Sequence, residues 1–127
     1  MNQLYEYDFG VIEVHDFYLK AVISEGVTIE KEISTLIISI ANKHFPKKPF
    51  GYITHRIHSY SVNPIVYLEV AEIENLVGFA IVSENPSKLE NSKFEKFFIK
   101  KSTKAFSNLD KAIQWVKELV EKKIDVT

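Results

Sequence analysis

The sequence predicts an α/β domain with a mixed sheet of about five to six strands, four helices and an antiparallel opening hairpin. Three observations predict it. The stretch up to Ser24 alternates and is rich in Tyr, Phe, Val and Ile, as half-buried strands are. Ile33, Leu36, Ile37, Ile40, Ala41 and His44 recur at helical spacing. Beyond them, strand-like and helix-like segments take turns to the end, which implies crossover helices on one or both faces.

Each element has its own signal. Asn2 to Asp8 reads as a strand, and Gly10 permits a tight turn. Val11 to Val14 and Phe17 to Ser24 are strands broken around His15–Asp16. Glu25–Gly26 ends that run. Thr28 is a good N-cap for a helix from about Ile29 to Phe45. Glu30 and Glu32 suit its positive end, Lys43 and His44 suit its negative end, and Pro46 and Pro49 stop it. Phe50 to Ile57 is a strand, and His58 to Val62 a polar loop. Asn63–Pro64 pairs an N-cap with Pro at the first helical position, opening a short helix over Ile65, Leu68, Glu69, Glu72 and Ile73. Leu76 to Ser83 is almost continuously apolar, as a strand buried on both faces would be. Asn85–Pro86–Ser87 breaks it. Lys88 to Ile99 carries a partial helical stripe, Leu89, Phe94, Phe97 and Phe98. Lys101 to Phe106 reads as a short strand. Ser107 or Asn108 caps the last helix, Ser107 with Asp110 matching an acidic capping box. Leu109, Ala112, Ile113, Val116, Leu119 and Val120 form its apolar face, and Lys122–Lys123 close it.

Length and composition narrow the function by exclusion. With 127 residues, 46% hydrophobic and 26% charged, the chain has the balance of one globular domain spanning 1–127. It has no cysteine, so disulfides, thiol nucleophiles and Cys-based metal sites are excluded. The N-terminal residues lack a basic stretch followed by an apolar run, and Ile33 to Asn42 is too short to span a bilayer. A soluble cytoplasmic protein with no membrane insertion is expected. The net charge is −1, which gives no global pull toward nucleic acid. The charge is uneven, since Ile57 to Pro86 holds no Lys or Arg and Ser87 onward is rich in Lys.

Chemical motifs are sparse. The glycines stand alone, so no phosphate-binding loop is present. His55 and His58 are three apart, a spacing that sends strand side chains to opposite faces, and no metal or other cofactor is expected. Ser59 or Ser61 would need a His or carboxylate in reach to act as a nucleophile, and no nucleophile elbow surrounds them. Their bland role is to help cap the helix that begins near Asn63. Lys93, Lys96, Lys100, Lys101 and Lys104 interleave with Phe94, Phe97, Phe98 and Phe106, the pattern of Phe toward a core and Lys toward water. Six Tyr, nine Phe and one Trp are a high aromatic content for this length, enough to line an interface or an apolar pocket as well as a core.

The strand–loop–helix stretch Phe50 to Ile73 followed by Leu76 to Ser83, and the closing stretch Phe106 to Val116 with Ala112 and Ile113–Trp115, resemble the STAS / SpoIIAA-like family. The resemblance implies a non-catalytic interaction module in the manner of anti-sigma-factor antagonists, which are switched by phosphorylation of a Ser or Thr after a central strand. The matching place here is the loop carrying Ser59 and Ser61. The family's Asp-Ser-Ser/Thr-Gly type of motif is replaced by His58-Ser59-Tyr60-Ser61-Val62. His55, His58, Ser59, Tyr60, Ser61 and Asn63 are therefore the expected contact or switch residues toward an unidentified protein partner. A second copy is also a candidate partner, through an exposed N-terminal edge strand that would give a homodimer. The alternative expectation is a binder of a small apolar ligand or lipid in an aromatic-lined pocket.

Overall fold

The computed structural model describes residues 1–84 and 101–126. Three strands open the chain: β1 (Gln3–Tyr7), β2 (Gly10–Val14) and β3 (Tyr18–Ile23). β1 pairs antiparallel with β2 and β2 with β3, so the expected antiparallel opening is present. Gly10 starts β2 at φ +152°, with its α-carbon against the backbone of Val22 and Ile23, and a side chain there would collide with both.

Next come β4 (Thr28–Ile29), α1 (Lys31–His44), β5 (Phe50–His55), β6 (Ser61–Val62), α2 (Ile65–Ala71), β7 (Leu76–Val82), β8 (Thr103–Phe106) and α3 (Leu109–Val126). The main sheet has six strands in the order β1-β2-β3-β5-β7-β8, and β3, β5, β7 and β8 run parallel. The mixed α/β sheet is thus present. Three helices lie among the described residues. The stripe over Lys88–Ile99, the break at Asn85–Pro86–Ser87 and the Lys93–Lys100 series fall outside them.

Parallel strands laid side by side in chain order need crossovers that all step the same way. Right-handed crossovers then place their helices on one face. Ile12, Val14, Leu19, Ala21 and Ile23 accordingly pack with Ile37, Ile40 and Ala41 of α1 and Val66 of α2. The opposite face holds Tyr18, Ile53, Ala80 and Val82 against Ala112, Val116 and Val120 of α3. Gly51 and Gly78 let α3 approach, since a Cβ on Gly51 would overlap Val116 and one on Gly78 would press on Leu119 and Trp115. β7 carries one extra residue, Val77, opposite the Phe50–Gly51 step, and this bulge shifts its register.

Two expectations are corrected. Thr28 is not a helix cap. Thr28 and Ile29 are extended and pair in parallel with Ser61 and Val62, so the segment read as a polar loop is partly a strand. The helix begins at Lys31, after Glu30, whose side chain makes no capping bond. Backbone pairing to β6 holds this segment extended, and it outweighs the local preference of Thr for a cap. The last helix is capped by Asn108, whose Oδ1 accepts from the Lys111 N–H at 3.1 Å, rather than through Ser107. Asn63 does cap α2, its Oδ1 accepting from the Ile65 N–H at 3.1 Å, with Pro64 already helical at φ −54°. Among the described residues no helix is long and apolar enough to cross a membrane.

Candidate binding pocket

α1 and α2 do not close completely on the sheet. A cavity of about 60 Å³ remains between them and β3, β5 and β7. One water needs only about 10–15 Å³, so the space holds more than a single solvent molecule. Its walls are apolar: Ile37 and Ala41 from α1, Val66 and Val70 from α2, Phe50 and Phe79 from the sheet. Pockets in α/β sheets open beyond the carboxyl ends of the strands. That end is where β5 leaves the sheet and its chain turns back through Tyr60 and Val62, which also line the cavity.

Polar groups gather at this end. The pleat of β5 sends Tyr52, Thr54 and Arg56 to the helix side together. Thr54 is buried, and its hydroxyl lies 2.6 Å from the Tyr60 hydroxyl. The Arg56 side chain, also buried, places its guanidinium carbon 4.7 Å from the centre of the Tyr60 ring. Tyr52 stacks on Phe79 with ring centres 5.2 Å apart. It retains accessible surface although β5 is a central strand, and that surface is cavity wall. Among the described residues nothing hydrogen-bonds the Tyr52 hydroxyl. Burial pushes the Tyr52 phenol far above its ordinary value. The phenols of Tyr60 and Tyr67 add to that, and Arg56 acts against it. Tyr67 is raised in the same way, first by burial and then by Tyr60. Both therefore remain neutral, as hydroxyls able to donate.

A strap closes the upper wall. The Gly26 N–H donates to the Ser59 carbonyl at 2.8 Å, the Ser61 N–H to Val27 at 2.9 Å and the Asn63 N–H to Ile29 at 3.0 Å. The Glu25 carboxylate accepts from the Ser59 N–H at 2.7 Å, and Glu30 accepts from the Asn63 amide at 3.3 Å. On the seam between the helices, the Ser34 hydroxyl donates to Glu69 at 3.4 Å; Ser34 borders the cavity and Glu69 does not.

The expected site residues are thus separated. Tyr60 enters the cavity wall. Ser59 and Ser61 are exposed on the strap, and His58 is exposed beside them. Asn63 is a helix cap and a strap contact. His55, one residue out of phase with Thr54, faces the other side of the sheet, where burial and the charge of Lys20 lower its pKa. Its Nδ1 is buried with no hydrogen-bond partner among the described residues. No hydrogen bond joins Ser59 or Ser61 to a histidine among those residues. Nor does any group of three or more His, Asp or Glu there stand close enough to hold a metal ion.

No protein-family model, curated protein or solved structure matches this chain. The site is therefore read from its own residues. Sequence reasoning missed Tyr52, Thr54, Arg56 and Tyr67. A signal was available for the first three: two polar side chains and a Tyr at every second position of a strand flanked by other strands, where an apolar face is the norm.

Proposed function

We propose that this chain is a non-catalytic binding module whose pocket holds a small, slender apolar ligand. One observation carries the reading: among the described residues the cavity between α1, α2 and the sheet is walled mainly by aliphatic and aromatic side chains, with a few hydroxyls, those of Ser34, Tyr52, Thr54, Tyr60 and Tyr67. Ligand sites have this composition, a mostly apolar wall with a few placed polar groups that fix orientation. The kinship with STAS / SpoIIAA-like domains belongs to the same proposal, supported by the strand–loop–helix order from Phe50 through β7. The test is a titration of methyl-labelled protein with small, mostly apolar neutral probes, 1-propanol and 1-butanol, followed by NMR. Saturable shifts confined to Ile37, Val66, Val70 and Ile73 are expected. Shifts that are absent, or spread evenly over surface methyls, would overturn the pocket.

A second reading rests on a different observation. Ile57, Ile65 and Leu68 are 54%, 63% and 57% exposed, all close in sequence to the strap. Ile65 and Leu68, three apart on α2, share a helix face, and neighbouring exposed apolar side chains mark contacts with other proteins. Under this reading the segment from His55 to Asn63 presents a surface to a protein partner, gated by a phosphate on Ser59 or Ser61. A phosphate on Ser59 would stand beside the Glu25 carboxylate and repel it, loosening the strap. Intact-mass analysis of protein from its own cells is the check. Phosphate on the peptide holding Ser59 and Ser61 is expected. If it is absent, and replacing both serines with Ala leaves partner binding unchanged, the gate is excluded.

A further inference from the structure

The pocket has a chemical direction, and that direction selects a class of ligand. Its lower walls, Ala41, Phe50, Val70, Ile73 and Leu76, offer no side-chain polar atom. At its upper end, Tyr52 carries a hydroxyl that nothing hydrogen-bonds among the described residues, Tyr60 a hydroxyl shared with Thr54, and Tyr67 a third phenol. Arg56 lies against Tyr60, and its charge is felt at both Tyr52 and Tyr67. Among the described residues no Asp or Glu lines the cavity, and the carboxylate of Glu69 lies behind it on the Ser34 hydroxyl. A neutral apolar guest would leave the Tyr52 hydroxyl desolvated and unmatched, which is costly. A cationic guest would be disfavoured by the charge of Arg56, which lies behind the wall, against the Tyr60 ring. An acceptor with negative charge meets a donor and a favourable field together.

We infer that the natural ligand is a slender monocarboxylate with a short acyl chain. The tail lies among Ile37, Val66, Val70 and Phe79, and the carboxylate accepts from Tyr52 beside Arg56. This rests on the reading of the cavity as a ligand site. At about 60 Å³ the cavity is well below the roughly 150 Å³ that admits benzene, so a tail of more than a few carbons would have to part α1 from α2.

The experiment is calorimetric titration of the full chain with propanoate, butanoate and pentanoate, each beside its primary alcohol. A carboxylate is expected to bind about tenfold or more tightly than its alcohol, the scale of one charge-assisted hydrogen bond. Tyr52→Phe is expected to remove most of that preference. Arg56→Met is expected to do the same. Because it removes a buried charge, it is read only if its circular dichroism and melting remain cooperative, and Tyr52→Phe carries the test on its own otherwise. Equal binding of acids and alcohols would overturn the carboxylate assignment while leaving the pocket standing. Binding of neither, by a folded protein, would overturn the pocket and the assignment with it. A preference that survives Tyr52→Phe would also overturn the assignment, placing the anion elsewhere on the molecule.

Discussion

His55 sits where burial disfavours its charged form. Lys20 adds to the effect, and Glu84 and Glu13 oppose it without reversing it. Its folded-state pKa lies below the ordinary value of 6.5. Between the two values the unfolded chain binds more protons than the folded one, so stability is full above about pH 6.5 and falls as pH drops through the folded value. Urea unfolding at a series of pH values is expected to show this slope, and His55→Gln to flatten it. An unchanged slope in the variant would mean that other groups carry it. On the same outer face, Glu13 lies between His15 at 2.8 Å and Lys20 at 3.2 Å. Burial raises its pKa, but the hydrogen bonds from His15 and Lys20 outweigh this and hold the carboxyl below its usual range. The contribution is present above about pH 4 and is lost as pH falls through the depressed folded value. Glu13→Gln is expected to cost less than about 1 kcal/mol at neutral pH, as partly exposed pairs do, and nothing in acid. A difference that persisted below the folded pKa would point to packing rather than charge.

At the scale of elements, the short helix α2 depends on its first residue. Asn63 both caps it and ties it to Glu30 on the strap. Asn63→Ala is expected to lower stability by about 1 kcal/mol through the lost cap. It is also expected to speed amide exchange in Thr28–Ile29 and Ser61–Val62, because the strap loses an anchor. Faster exchange in α2 with no change in the strap would separate the two roles. The sequence made α2 and its cap legible because Asn-Pro followed by an apolar run is a local signal. It made β7 legible because burial on both faces leaves a run with no polar interruption. It hid β4 and β6, because two residues each carry no periodicity and their pairing joins segments 33 positions apart in the register Thr28 to Ser61. The local cap preference of Thr28 was therefore a misleading cue, overridden by a contact that no sequence window contains.

The whole molecule behaves as a sheet with unequal cover. α3 packs tightly on β5, β7 and β8, helped by two glycines, while α1 and α2 leave a cavity on the other face. Val70→Phe is expected to fill that cavity. Overpacking a dense core costs about 1–3 kcal/mol, so a cost below about 1 kcal/mol would mark a real void at this position. The filled variant is also expected to lose binding of 1-propanol and 1-butanol. A variant that melts normally and still takes up both probes would place their site elsewhere.

By itself the sequence determined the order of the main-sheet strands and of the three described helices, the antiparallel opening, the cap of α2 and the absence of cysteine chemistry. These depend on composition or on neighbours a few positions apart, where the periods of strand and helix and the turn residues act directly. Tertiary structure alone decided that Tyr52, Thr54 and Arg56 meet Tyr60 and Tyr67 at one end of an apolar cavity, and that His55, one residue out of phase, faces away from it. That choice depends on which face of β5 α1 and α2 cover, which the handedness of the crossovers and the packing of α3 set together. A side chain's neighbours across a sheet are fixed by these long-range contacts, so the high aromatic content could signal a pocket but not its polar end.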